Sequence, residues 1–165
     1  MIVIRLSWSE VFFAAMAGVM RRIQGMKHKR EQMYGGGPCP DMFWQIDIIS
    51  CIGEFALAKH LDCVWSGAIG LLTVPDVGPG YEVRATEWSD GRLRLHPPDK
   101  DEKPYVLARV NENVVTLVGW VYARVGKRKE YWQNIQKNRP ERFAFWVPND
   151  MLHDMDELPV LERAA

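Results

Sequence analysis

The sequence predicts an α+β fold, a central mixed β-sheet flanked by helices, and three observations carry that prediction. Apolar residues recur at helical steps of three and four through residues 9–60. From Leu71 the chain changes to short runs rich in Val, Leu, Tyr and Thr. Gly, Pro and Asp separate those runs. With 165 residues, 47% of them apolar, the chain has the size of one domain and can bury a core without metal or disulfide staples. It divides into a basic helix and Gly-rich loop over residues 1–40 and a core over residues 41–158.

The first helix is read from Phe12, Ala15, Met16, Val19, Ile23 and Met26, one apolar stripe, with Ser7 or Ser9 as its cap. Its distal end carries Arg21, Arg22, Lys27, Lys29 and Arg30 before Gly35-Gly36-Gly37-Pro38 stops it. A second helix is expected over Asp41 to His60, where Phe43, Ile46, Ile49, Ile52 and Phe55 form a broad apolar face. Asp47, Cys51, Glu54 and Ala58 fall on one line down that helix, because seven residues make nearly two turns. Then come the strand-like runs LLTVPDV, YEVRAT, RLRLHP, YVLARV, VVTLVGWVY and RFAFWVP. Hairpin turns are expected at Ser89-Asp90-Gly91 and at Asn111-Glu112-Asn113. Short helices are expected from Arg124 to Gln133 and from Asn149 to Leu158.

Composition narrows the function classes. The 21 basic side chains balance 21 acidic ones, so no global positive field announces a polyanion partner, and any such site must be local. Cys39, Cys51 and Cys63 form no CxxC pair and have no zinc-finger spacing, as suits a reducing cytoplasm. The apolar run Val11 to Met20 is too short to span a bilayer, and its flanking charges are reversed from those of a signal peptide. A cytoplasmic protein without membrane partners is the expectation.

The stretch Thr73 to Thr86, TVPDVGPGYEVRAT, holds the densest chemistry. It places Asp76 at the end of one strand, turns through Gly78-Pro79-Gly80, and returns on a second strand with Glu82 and Arg84. Residues two apart on a strand share a face, so Glu82 and Arg84 project together while Val83 enters the core. Phosphodiester hydrolysis needs such a cluster: hard oxygen ligands for Mg²⁺, which activates water, and a fixed cation for the phosphate.

Pro75-Asp76, five intervening residues, then Glu82-Val83-Arg84 resembles the signature of the PD-(D/E)xK nuclease superfamily, with arginine in the lysine position. That superfamily also carries a glutamate on a preceding helix, and Glu54 is placed for the role. The wider pattern, from Trp44 to Leu158, is similar to small nuclease-like proteins of phages and prophages. The resemblance implies a restriction-endonuclease-like fold and a metal-dependent nuclease acting on DNA, with many small nucleases of this kind being homodimers. It also implies that Asp76 and Glu82 bind Mg²⁺ or Mn²⁺, that Glu54 binds a second ion or its water, and that Arg84 holds the phosphate.

An arginine does not deprotonate near neutral pH, so Arg84 cannot act as a general base, and Lys100 or Lys103 is the alternative source of an amine. The same departure keeps a second reading open: a nuclease-like protein that has lost catalysis and binds nucleic acid or a host protein. Asp47 is a candidate supporting group for the metal site, since it shares a helix face with Glu54. For nucleic-acid contact the candidates are Trp88, for base stacking, and the basic Lys127, Arg128, Lys129, Arg21 and Arg22. The four histidines are expected at the surface, and Trp44, Trp120 and Trp146 in the core.

Overall fold

In the computed structural model, which describes residues 1–28, 40–70, 74–134 and 143–161, the fold is α+β with a mixed sheet. Strand β1 (Ile2–Arg5) leads into helix α1 (Trp8–Lys27). Ser7 is the cap. Its hydroxyl accepts from the Glu10 N–H at 3.2 Å, and the Glu10 carboxylate accepts from the Ser7 N–H at 2.6 Å, so two otherwise orphaned donors are satisfied reciprocally. Helix α2 (Pro40–His60) runs back along α1, pinned at one end by Lys59 to Glu10 at 2.8 Å and at the other by Arg22 to Asp47 at 2.6 Å.

The helices meet through small residues. Gly18 lies so close to α2 that a Cβ there would stand 2.6 Å from the Ile48 Cα, and Ala14 is fully buried nearby. This corrects the stripe read from the sequence: Phe12, Met16 and Met26 are exposed, because close backbone approach selects the Ala14 and Gly18 face for the interior. Ile46 of the face expected for α2 is exposed as well, and so is Trp44, which was expected in the core, whereas Ile49 and Ile52 are buried.

Strand β2 (Glu82–Thr86) pairs in parallel with β4 (Pro104–Asn111), Glu82 opposite Tyr105. β4 forms an antiparallel hairpin with β5 (Val114–Tyr122), turning at Glu112, whose φ is 53°. β1 pairs with the far side of β5, giving the order β1-β5-β4-β2. An irregularity between Leu107 and Ala108 places Leu117 opposite Ala108 and Gly119 opposite Leu107. Val118 is the extra residue, and it exchanges the two faces of β5: Val115 and Leu117 pack towards the helices, whereas Val118 and Val121 pack on the other side.

That other side is covered by a second sheet of order β3-β7-β6, made of β3 (Leu93–Leu95), β6 (Trp132–Gln133) and β7 (Ala144–Val147). Helices α1 and α2 therefore flank one face of the mixed sheet, as expected, and a small second sheet covers the other. Leu93, Leu95, Leu107, Val121 and Val147 fill the space between the sheets.

Four local expectations are also corrected. Val74–Asp76 forms no strand, and residues 71–73 of that expected strand lie outside the described residues. The turn before Gly91 does not close a hairpin, since β2 pairs with β4 and β3 with β7. The helix expected from Arg124 to Gln133 is a single turn, α3 (Ala123–Gly126), then a 3₁₀ turn at Lys129–Tyr131 and strand β6. The last helix is replaced by two 3₁₀ turns, Asn149–Met151 and Met155–Glu157. Between them His153 exchanges backbone hydrogen bonds with Trp120 of β5, and that pairing straightens the chain. Among the described residues no helix is long and apolar enough to cross a membrane.

Candidate active site

The turn predicted before β2 is present and tight. Val77 and Tyr81 exchange two backbone hydrogen bonds of 3.1 Å around Gly78, whose φ of 54° a side chain rarely adopts. This folds Asp76 back so that its Oδ2 accepts from the Val83 N–H of β2 at 2.9 Å. Val83 is buried, and Glu82 and Arg84 lie on the opposite face, as alternation requires.

Glu54 reaches the same neighbourhood from α2. It is 2% exposed, and its carboxylate accepts two bonds from Arg21, at 2.5 and 2.8 Å, and one from the Trp65 indole at 3.1 Å. Arg21 is fixed in turn by donating through Nε to the Ala68 carbonyl at 2.9 Å. Burial pushes Glu54 up to about 7 against the pull of Arg21, and the charge of Asp76 pushes in the same direction as burial. Glu82 is likewise raised, by burial and then by Asp76, while Lys103 pulls it back. Asp76 is thus the shared electrostatic neighbour of two carboxylates that arrive on different elements.

The cations are arranged around this acidic group. Lys103 donates to Glu82 from the start of β4, which the parallel pairing sets beside β2. Of the two lysines considered as sources of an amine, the structure brings Lys103 to the acid. Arg84 donates to Asp99 at 3.0 Å and lies over the Tyr105 ring at 4.8 Å. Burial opposes its charge, but Asp99 and Asp76 hold its pKa above the ordinary value. Asp99 is oriented by accepting from the His96 N–H at 2.8 Å. His96 is buried, contrary to the expected surface position, and burial followed by Arg94 depresses it to about 4, so it is neutral.

The remaining sequence candidates divide clearly. Asp47 faces α1 as Glu54 does, paired to Arg22, and burial raises its pKa. Arg21 and Arg22, read from sequence as nucleic-acid contacts, therefore hold Glu54 and Asp47 inside the fold. Cys51, between them on that helix, is fully buried, and burial followed by the Glu54 charge pushes its thiol up to about 12. Lys127 donates to the Pro97 and Asp99 carbonyls and to Asp101, so it clamps the loop that carries Asp99. Arg128 is half exposed near Glu130 and the Tyr131 ring, and Lys129 sits in the following 3₁₀ turn. Trp88 is 71% exposed.

Sequence reading missed Asp99, Tyr105 and Trp65 as partners. Asp99 follows a Pro-Pro pair in HPPD, a turn signal with a carboxylate in it, and so was detectable in principle. Nothing local marks Trp65 or Tyr105.

The carboxylates are hard oxygen donors suited to Mg²⁺ or Mn²⁺. Among the described residues, however, no three His, Cys, Asp or Glu side chains are grouped as an ion would require, and Arg21 and Lys103 supply the countercharge instead. Comparison of the chain with protein-family models, curated proteins and solved structures finds no match.

Proposed function

We propose that this protein is a metal-dependent nuclease that hydrolyses phosphodiester bonds in DNA, acting in the cytoplasm on a restriction-endonuclease-like core. One observation carries the reading: the turn folds Asp76 back onto the Val83 N–H, beside Glu82 and Arg84, with Lys103 donating to Glu82 and Glu54 of α2 within reach of the Asp76 charge. The buried free thiol of Cys51 accords with a reducing compartment.

Asp76 and Glu82 would hold a Mg²⁺ or Mn²⁺ ion, which supplies an activated water and neutralises charge on the scissile phosphate. Arg84, held by Asp99 and the Val83 carbonyl, would supply a fixed positive charge to the phosphate. Lys103 brings an ammonium to the place where the resemblance expects a lysine, and it stands beside Glu82 rather than two residues along the same strand. Its departure from Glu82 towards the substrate would free that carboxylate as a ligand. Glu54, fixed by Arg21 and Trp65, sets the negative charge on the helix side.

A second reading is favoured by the pairing of Glu54 with Arg21 and of Glu82 with Lys103. A fold that neutralises its own carboxylates has no need of an ion, and would be a nuclease-like protein that only binds nucleic acid or a host protein. The experiment that separates the two is a cleavage assay on single- and double-stranded DNA and RNA with Mg²⁺ or Mn²⁺. Metal-dependent cleavage is expected in the wild type and abolished in Asp76→Asn. Lys103→Ala should lower the rate by roughly 10²–10³, the scale for losing one electrostatic stabiliser. Cleavage that persists unchanged in Asp76→Asn, or no cleavage by wild type, rejects the nuclease.

A further inference from the structure

We propose that the groove along the free edge of β2 binds single-stranded nucleic acid, taking an unpaired base against Trp88 and the backbone against arginines. This deepens the nuclease reading, on which it rests, by naming the form of the substrate. Among the described residues β2 ends the mixed sheet, and no strand pairs with its edge away from β4. A groove of about 710 Å³ follows that edge, with α2 on one side and the second sheet on the other. Its size lies within the roughly 300–1,000 Å³ of ligand sites.

Four features give the groove its chemistry. Arg84 is part of its wall and also belongs to the charged cluster around Asp76, so the groove is continuous with the candidate active site. Trp88 stands at the groove with 71% of its surface exposed, an aromatic face that the fold does not use for its core. Trp146 lines the groove, is only 9% exposed, and its indole N–H has no acceptor among the described residues, although buried indoles ordinarily find one. Arg92 and Arg94, two residues apart on RLRL, both line the groove. Arg94 lies 5.7 Å from the Trp146 ring, and Arg92 has no ion-pair partner among the described residues.

Aromatic faces interleaved with guanidinium groups suit splayed bases and their phosphates. A duplex keeps its base faces stacked inside and cannot offer one to Trp88. Glu87 and Asp90 also line the groove, and they make it a poor track for phosphates alone. They can accept from base amino groups, both of whose N–H bonds are open only in an unpaired strand, since pairing takes one of them. An extended peptide adding to the β2 edge is the rival occupant. It would have no use for the arginine and tryptophan pairs.

The test is fluorescence anisotropy of a labelled oligonucleotide of mixed sequence, single-stranded and as its duplex, in EDTA so that nothing is hydrolysed. The single strand should bind more tightly than the duplex. Trp88→Ala, at an exposed position, should weaken single-strand binding on the order of 10- to 100-fold, the effect of losing one stacked base, while Trp88→Phe retains most of it. Arg92→Ala should lower the slope of log affinity against log salt by about 0.7, one phosphate contact on a single strand. Equal or tighter duplex binding, no binding of either form, or a Trp88→Ala variant that binds as wild type overturns the groove assignment. The two readings fail separately. Cleavage that depends on Asp76 with binding indifferent to Trp88 sinks the groove alone, and Trp88-dependent binding without cleavage sinks the nuclease alone.

Discussion

Glu54 is where burial and ion pairing oppose each other most directly. Its carboxylate has three donors, yet burial and Asp76 raise its pKa from the ordinary 4.5 to about 7. A folded-state pKa above the unfolded value means that the folded protein holds the proton longer. The contribution of Glu54 to stability is then fully present below about 4.5 and is lost as pH rises through about 7. The urea midpoint of wild type relative to Glu54→Gln should fall across that window. A difference that grows with pH instead would show the Arg21 pair outweighing desolvation. That Glu54 lies on the same face of α2 as Asp47 and Cys51 was legible from its helical register. Its partner was not. Arg21 looked like one of five basic residues at a helix end, and only the antiparallel return of α2 turns it from a phosphate contact into the countercharge of Glu54.

At the scale of elements, β4, the β4–β5 hairpin and the β2 strand were legible because period-two alternation and turn residues act locally. The short helices and the sheet partners were not. His153 pairs with Trp120 across the fold, and β2 lies beside β4 in space although β3 lies between them in sequence. The buried face of α1 was misread because large apolar side chains usually go inside, whereas here the contact is set by how closely two backbones approach. Gly18 tests that account. Glycine to alanine in a helix normally stabilises by about 1 kcal/mol. Here the new Cβ would stand 2.6 Å from the Ile48 Cα and 2.7 Å from the Asp47 carbonyl oxygen, backbone atoms that cannot step aside. Gly18→Ala should therefore destabilise by roughly 1–3 kcal/mol, as overpacked cores do. Thermal unfolding of the variant reads the sign. An unchanged or higher Tm would mean that the helices part easily and that Arg21 to Glu54 is not held by their packing.

Over the whole molecule the charges balance, but they are not spread evenly, because two acids raised by burial, Glu54 and Glu82, both feel the charge of Asp76. Mutual repulsion there is a stability cost of the kind that functional sites carry and structural ones shed. Asp76→Asn should thus raise the metal-free Tm, since the amide oxygen can still accept from the Val83 N–H while its charge no longer presses on Glu54 and Glu82. Divalent metal should act unequally on the two proteins. In wild type an ion bound only by the folded state stabilises by mass action, about 2.7 kcal/mol at 100 times its dissociation constant. For a chain of this length each kcal/mol moves Tm by about 2–4 °C, so saturating Mn²⁺ should lift the wild type by several degrees. In Asp76→Asn the lift should be small or absent, and the two melting curves should cross as metal is added. The Lys103 pair sharpens the expectation: an ion that takes Glu82 must displace the ammonium, so Lys103→Ala should bind Mn²⁺ more tightly than wild type even as it hydrolyses more slowly. A wild type whose Tm ignores millimolar Mn²⁺ would leave Arg21 and Lys103 as the permanent countercharges of the site, and the protein would then be a binder.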